Sequence, residues 1–276
     1  MEIRFQTSPA ETKQMDTAQL RQNFLVQQLM KDDAVELVYS HYDRVILGGI
    51  KPLSKTLGLP NHPELRAEYF LERRELGVVN VGGPGKVTAD GKDFIMPKLS
   101  CLYVGKGTKE VLFSSVAKDN PAVFYILSSP AHHAYPIALM EKEKAAPVEL
   151  GTAETSNKRT VYKYIHLDGI QSCQLVMGLT VLAPGSVWNS VPPHTHTRRM
   201  EAYFYFDLPE DQRMFHFMGN PQETRHIVMK NHEAVISPPW STHFGCGTSN
   251  YGFIWGMAGE NLVYSDMDPV PVPTLL

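Results

Sequence analysis

The chain has little of what marks several large classes of protein. Its three cysteines, Cys101, Cys173 and Cys246, are odd in number, widely spaced and form no CxxC pair. That argues against a disulfide framework and for a reducing compartment. Charge of one sign is missing too: 26 Lys and Arg against 29 Asp and Glu give a formal net charge of −3, with no basic run. A nucleic-acid partner therefore has no electrostatic footprint here. No apolar run approaches the roughly 18 residues that a membrane span needs. The opening MEIRFQTSPAETKQMD lacks the charged-then-apolar order of a signal peptide. The expectation is a cytoplasmic, soluble protein with no membrane partner.

What is present is an ordinary globular composition, 43% hydrophobic and 20% charged over 276 residues. That is enough chain for one large domain or two fused ones. A short helical pattern stands near the start, capped by Asp16 or Thr17, with Leu20, Phe24 and Gln27 at helical spacing. After it the pattern turns to strands. Residues 36–39 and 44–47 read as strands ended by Gly48-Gly49, and Gly77 to Ser115 reads as short strands broken at glycines. Asp90-Gly91 between alternating residues is a hairpin signal. Residues 130–160 read as a connector with a solvated Lys/Glu-rich stretch. Adjacent His132 and His133 would point apart on an extended strand and make a poor ligand pair. The proline-rich tail DPVPVPTLL is unsuited to a central strand.

The two β-rich halves look like a weak repeat. RRELGVVNVGG resembles RRMEAYFYFDL, and LYVGKGTKEVLF resembles ISPPWSTHFGCG. Division is expected near residue 150, with barrel-like halves over 1–150 and 151–276. Laid together without gaps, the first half offers Glu68, Phe70 and Glu75 opposite His194, His196 and Glu201, and Glu110 opposite His243. Phe70 cannot ligate, so a single metal site is expected, in the second half.

That site rests on His194-Thr195-His196, followed by Glu201 and, much later, by His243. Histidines at i and i+2 on a strand face the same way. A carboxylate and a third imidazole from neighbouring strands would complete an N/O metal site, suited to zinc and open to Mn, Fe(II), Co or Ni. The spacing HxH-x4-E with a late histidine resembles the metal signature of cupin barrels. Glu201 breaks strict strand parity with His196, so a turn or bulge over Thr197–Met200 must bring it back inward. Tyr203 and Tyr205 would then follow Glu201 on the same face. Arg198 and Arg199 at the bend could hold a substrate carboxylate as a fork. His226 is a candidate proton shuttle, Cys246 a small hydrophobe near His243, and Trp240 and Trp255 candidate cavity walls. Glu223 and Glu260 are possible bases.

Longer stretches carry a more specific likeness. YFLERRELGVVNVGG, LYVGKGTKEV, NKRTVYKY, CQLVMGLTVLAPGSVWN, HTHTRRMEAYFYF, GNPQETRHIVMKN, AVISPPWSTH and FIWGMAGEN run in order through the chain. Together they resemble the 5-keto-4-deoxyuronate isomerase family of cupins. The resemblance implies a mostly β bicupin of two jelly-roll-like barrels with a few short helices. It places one zinc per chain on His194, His196, Glu201 and His243, and it implies a homo-oligomer, expected to be a hexamer. It further implies an aldose–ketose isomerisation of a small sugar acid in pectin and polyuronide breakdown, with no redox cofactor. An isomerase of 5-deoxy-glucuronate in inositol breakdown, an iron-dependent cupin dioxygenase and a non-catalytic sugar-binding cupin are the competing readings.

Overall fold

A computed structural model describes residues 1–276. Strands dominate it and fall into two copies of one arrangement. The first seven-stranded sheet runs, in spatial order, Glu2–Arg4, Val35–Ser40, Ile46–Ile50, Phe124–Pro130, Arg74–Asn80, Cys101–Val104 and Ala138–Met140. The second runs Val148–Leu150, Arg159–Ile165, Val176–Leu182, Gly252–Gly259, Arg199–Phe206, Ala234–Ser237 and Leu25–Val26. Each faces a four-stranded sheet, built in the first case around Val111–Ser115 and Gly85–Ala89 and in the second around Thr242–Gly247 and Met214–Asn220. The mostly β, two-barrel expectation is met.

One element crosses between the copies. Leu25–Val26 lies in sequence between two strands of the first copy, Glu2–Arg4 and Val35–Ser40, yet edges the second, pairing with Ala234 and Val235. The helix before it, Thr17–Phe24, starts at Asp16, whose side chain accepts from the Gln19 backbone while Gln19 caps in return. Leu20 and Phe24 bury against the second copy's core, and the helix ends at Phe24. Gln27 lies beyond it, contrary to the helical spacing suggested by sequence. A preceding helix, Pro9–Lys13, has a complete Ser8–Glu11 capping box and escaped the sequence reading because it buries only Thr12.

Gly48 and Gly49 do not end a strand; they lie inside Ile46–Ile50. A Cβ at Gly49 would stand 2.3 Å from the Leu29 carbonyl oxygen, so glycine admits a crossing chain there. Asp90-Gly91 makes the expected hairpin, with φ of 44° and 80° joining Ala89 to Lys92.

Alternation along the strands produces three cores. Leu76, Val78 and Phe113 fill the first copy, and Tyr203, Tyr205 and Phe253 belong to the second. Between them lies a third core of 28 buried residues, drawn from the facing large sheets and the loops beside them and including Val79, Leu127, Met200, Ala202, Phe204 and Ile254. Glu75 also faces this seam. It is fully buried and accepts from the backbone N–H groups of Cys173, Gln174 and Leu175 and from Tyr103 and Ser129. The overlay that set Glu75 opposite Glu201 was therefore one residue out of register with the repeat itself. Aligning Arg74–Asn80 with Arg199–Phe206 puts Leu76, not Glu75, opposite Glu201, and a one-residue slip sends a side chain to the other face.

Candidate metal centre

Strand alternation and one turn assemble the cluster. On Arg199–Phe206, Met200, Ala202, Phe204 and Phe206 face the seam, which leaves Glu201, Tyr203 and Tyr205 inside the second barrel. The bend demanded before Glu201 is present. The strand holding His194 stops at Thr195, and Arg199 N–H donates to the His196 carbonyl at 3.3 Å before the next strand begins. His243 arrives from Thr242–Gly247 in the opposite sheet. One donor atom from each of His194, His196, Glu201 and His243 lies within 4.8 Å of the others. No second such group occurs in the chain.

The hydrogen bonds behind the rings decide what the cluster can accept. His196 Nδ1 is 2.9 Å from the Arg199 carbonyl, and His243 Nδ1 is 3.1 Å from the Ser241 carbonyl. A carbonyl can only accept, so each Nδ1 carries the proton and each Nε2 presents its lone pair inward. His196 Nε2 and His243 Nε2 stand 3.0 and 2.7 Å from Glu201 Oε2, and His243 Nε2 is 3.0 Å from His194 Nε2. Lone pairs and a carboxylate thus converge at contact distance, a donor set that calls for a cation. Burial pushes the His194 imidazole down to about 3, which keeps its ring neutral.

A cavity of about 260 Å³ opens on this cluster, lined among others by Arg159, His194, Arg199, Glu201, Tyr203 and Tyr264. That volume suits a ligand below drug size. Tyr203 hydroxyl lies 2.9 Å from Ser190 Oγ, and burial raises its pKa so that it keeps its proton. Trp255 walls the cavity and donates from Nε1 to Thr180 Oγ1 at 3.2 Å.

The two arginines of the bend do different work from the carboxylate fork expected of them. Arg198 lies outside the cavity lining. Its Nε donates to Asp266 at 2.7 and 2.9 Å, and its Nη2 to Asp268 at 2.9 Å. Arg199 is buried and donates to the carbonyls of Val263, Asp266 and Tyr264 at 2.7, 3.0 and 3.4 Å. Both therefore tie down residues 261–268, the segment that carries Tyr264 and Met267 into the cavity. The same segment continues into Asp268–Pro269, which pairs with His194–Thr195.

Several candidates are not brought to the site. His226 is exposed on Glu223–Met229, beside Phe215 and Phe217, and does not line the cavity. Glu223 pairs with Lys13 and Arg225, and Glu260 is exposed. Trp240 borders a small crevice beside Pro9 and Lys13, and Cys246 is half-buried. His132 and His133 are exposed and, as a poor ligand pair should, join no metal-binding group. Arg159 and Tyr264 were missed. Arg159 could have been found by parity with Val161, which shares its cavity-facing side; nothing local marks Tyr264.

Similarity to known proteins agrees with this picture. The KduI/IolB family model matches residues 25–270. The chain is 50% identical over 275 residues to the 4-deoxy-L-threo-5-hexosulose-uronate ketol-isomerase of Halalkalibacterium halodurans, covering 100% of both chains. It is 54% identical over 274 residues to the protein of that name from Formosa agariphila, covering 99% of this chain and 98% of that one. Among solved structures it resembles an IolB-like protein of Salmonella typhimurium, with TM-score 0.70 and 16% identity over 87% of this chain and 94% of that one. Bacillus subtilis oxalate decarboxylase, described with Mn(II) centres, gives TM-score 0.54 at 9% identity, over 80% of this chain and 70% of that one. At these identities the two structures speak for the fold alone.

Proposed function

The chain belongs to the KduI/IolB family and is an isomerase, and we propose that its substrate is the open-chain sugar acid 5-keto-4-deoxyuronate, which becomes 3-deoxy-D-glycero-2,5-hexodiulosonate. The observation that carries this reading is the buried cluster of three imidazoles and one carboxylate, facing a cavity of sugar-acid size. Zinc is the proposed metal, held by His194, His196, Glu201 and His243. When bound it supplies Lewis acidity to the substrate's carbonyl end. The rest of the chemistry belongs to the chain. Moving a carbonyl from C1 to C2 takes a proton from C2, delivers one to C1 and passes the hydroxyl proton from O2 to O1, with charge developing on both oxygens in between. Tyr203, kept protonated by burial, donates a hydrogen bond to that developing charge, while Ser190 fixes the hydroxyl's direction. Glu201 serves as a ligand and not as the base. Arg199 acts from behind, by holding the wall that carries Tyr264.

The same proposal places the metal-bearing barrel at 151–276, with a ligand-free barrel over 1–150 whose segment also supplies the edge strands Leu25–Val26 and Val148–Leu150 of the second sheet. Pectin and polyuronide breakdown in the cytoplasm, and a hexameric assembly, complete it. No helix of the chain is long and apolar enough to cross a membrane.

The test is an isomerase assay on freshly made 5-keto-4-deoxyuronate with protein as purified, chelator-stripped and zinc-restored. Product formed, lost on stripping and regained with zinc is the expected result. Folded, metal-loaded protein that gives no product would sink the reading. Turnover of 5-deoxy-glucuronate in its place would move the substrate within the same reaction class.

A further inference from the structure

In the proposed reaction the aldehyde end of the sugar acid would lie at the metal ligands, which leaves its carboxylate to be held elsewhere in the cavity. A partly desolvated carboxylate needs a cation or several N–H donors. Arg198 is neutralised by Asp266 and Asp268 outside the cavity, and Arg199 spends both terminal nitrogens on backbone carbonyls. Lys163 lies over the Tyr264 ring, 5.1 Å from its centroid, and does not line the cavity.

Arg159 is placed otherwise. It opens strand Arg159–Ile165, lines the cavity with Val161, and gives one N–H, from Nη1, to the Asn157 carbonyl at 2.9 Å. Its Nε and Nη2 donate to no protein group, and no carboxylate pairs with it. Three tyrosines, 264, 203 and 251, are the charge-bearing groups it feels, and none is ionised at neutral pH. Half-buried and unpaired in a cavity shared with His194 and Glu201, this guanidinium offers an edge of two N–H groups to an anion.

We propose that Arg159 binds the substrate carboxylate and so sets which end of the sugar acid reaches the metal ligands. The assignment rests on the isomerase reading for the identity of the substrate, but not for the chemistry of recognition. It makes the site selective for acyclic acids over neutral sugars of the same length. Arginine is required rather than lysine, because the free edge is a planar pair of donors matched to two carboxylate oxygens.

The test compares wild type, R159M and R159K, each checked for metal content and melting temperature. Steady-state kinetics on 5-keto-4-deoxyuronate should show KM raised roughly 10- to 100-fold in R159M, with kcat changed far less. R159K should fall between. A second arm needs no turnover: calorimetric binding of D-gluconate and of the neutral D-glucitol to zinc-loaded protein. Wild type should prefer gluconate, and R159M should lose that preference. An R159M enzyme with wild-type KM overturns the assignment and leaves the isomerase reading intact. Gluconate preferred equally by wild type and R159M, or by neither, overturns it too, even if wild type turns over no uronate and the isomerase reading itself has failed.

Discussion

Glu75 sits at the seam of the two barrels with both carboxylate oxygens engaged, and exchanging it for glutamine probes how that seam is held. Oε1 accepts from Ser129 Oγ at 3.1 Å and from the N–H groups of Gln174 and Leu175 at 2.8 and 3.0 Å. Oε2 accepts from Tyr103 hydroxyl at 2.8 Å and Cys173 N–H at 2.7 Å. Glutamine keeps the shape but turns one oxygen into a donor. Its least harmful placement puts the NH2 at the Oε2 position, where Tyr103 can rotate to accept. Cys173 N–H is then left facing another donor, a loss of about 1–3 kcal/mol. The three bonds retained at Oε1 drop from charge-assisted to neutral, about 1 kcal/mol each. Removing a buried charge recovers part of its desolvation cost. The expected net loss is about 2–4 kcal/mol, or roughly 5–15 °C in melting temperature. Urea unfolding and thermal melting of metal-loaded E75Q measure it, with KM expected unchanged because Glu75 is outside the cavity. An E75Q protein within about 0.5 kcal/mol of wild type would refute the account of the seam.

Other perturbations separate roles that lie close in sequence. R199M leaves the Val263 and Asp266 carbonyls without their donors and should cost about 2–4 kcal/mol and speed zinc loss on dialysis, whereas R198M, at an exposed ion pair, should melt close to wild type. Equal melting of the two would contradict the division of labour drawn here. Y203F removes one donor beside Glu201 and should lower kcat roughly 100-fold with zinc content unchanged; full activity would dismiss Tyr203 from the reaction. Burial, aided by Lys51, pushes the partly buried His232 down to about 4 from its ordinary 6.5. Folding therefore favours its neutral form. Its burial is without cost above about pH 6.5, but as pH falls toward 4 only the unfolded chain takes up the proton, and stability drops by about 1–2 kcal/mol after screening by solvent. H232N, which tolerates the φ of 63° there, should flatten that part of the stability–pH curve, and an unchanged curve would show that His232 is not its source.

The repeat, the strands and the single ligand set were legible because they depend on period and on residue type. Alternation from Glu201 through Tyr205 is a two-residue rule, and it placed both tyrosines inside the barrel before any fold was drawn. The bend at residues 197–200 followed from the same rule, since Glu201 could reach the histidines only across a break in parity. Glu75 shows how little register error is tolerated. Set opposite Glu201 it is one residue off the RRELG–RRMEA match, and in a strand one residue is the difference between the barrel interior and the seam.

The arginines mark the deeper boundary. Arg198, Arg199 and Arg159 carry the same charge and comparable strand positions, and nothing in their own neighbourhoods in sequence distinguishes them. What each does is decided by acceptors that lie far away along the chain: Asp266 and Asp268 for the first, the carbonyls of residues 263–266 for the second, and none but Asn157 for the third. Residue type and local periodicity determined that this chain folds as two β-barrels and which four side chains share a donor set. Only the tertiary structure decided which guanidinium is left unpaired in the cavity, because pairing is settled by long-range contacts that no local pattern encodes.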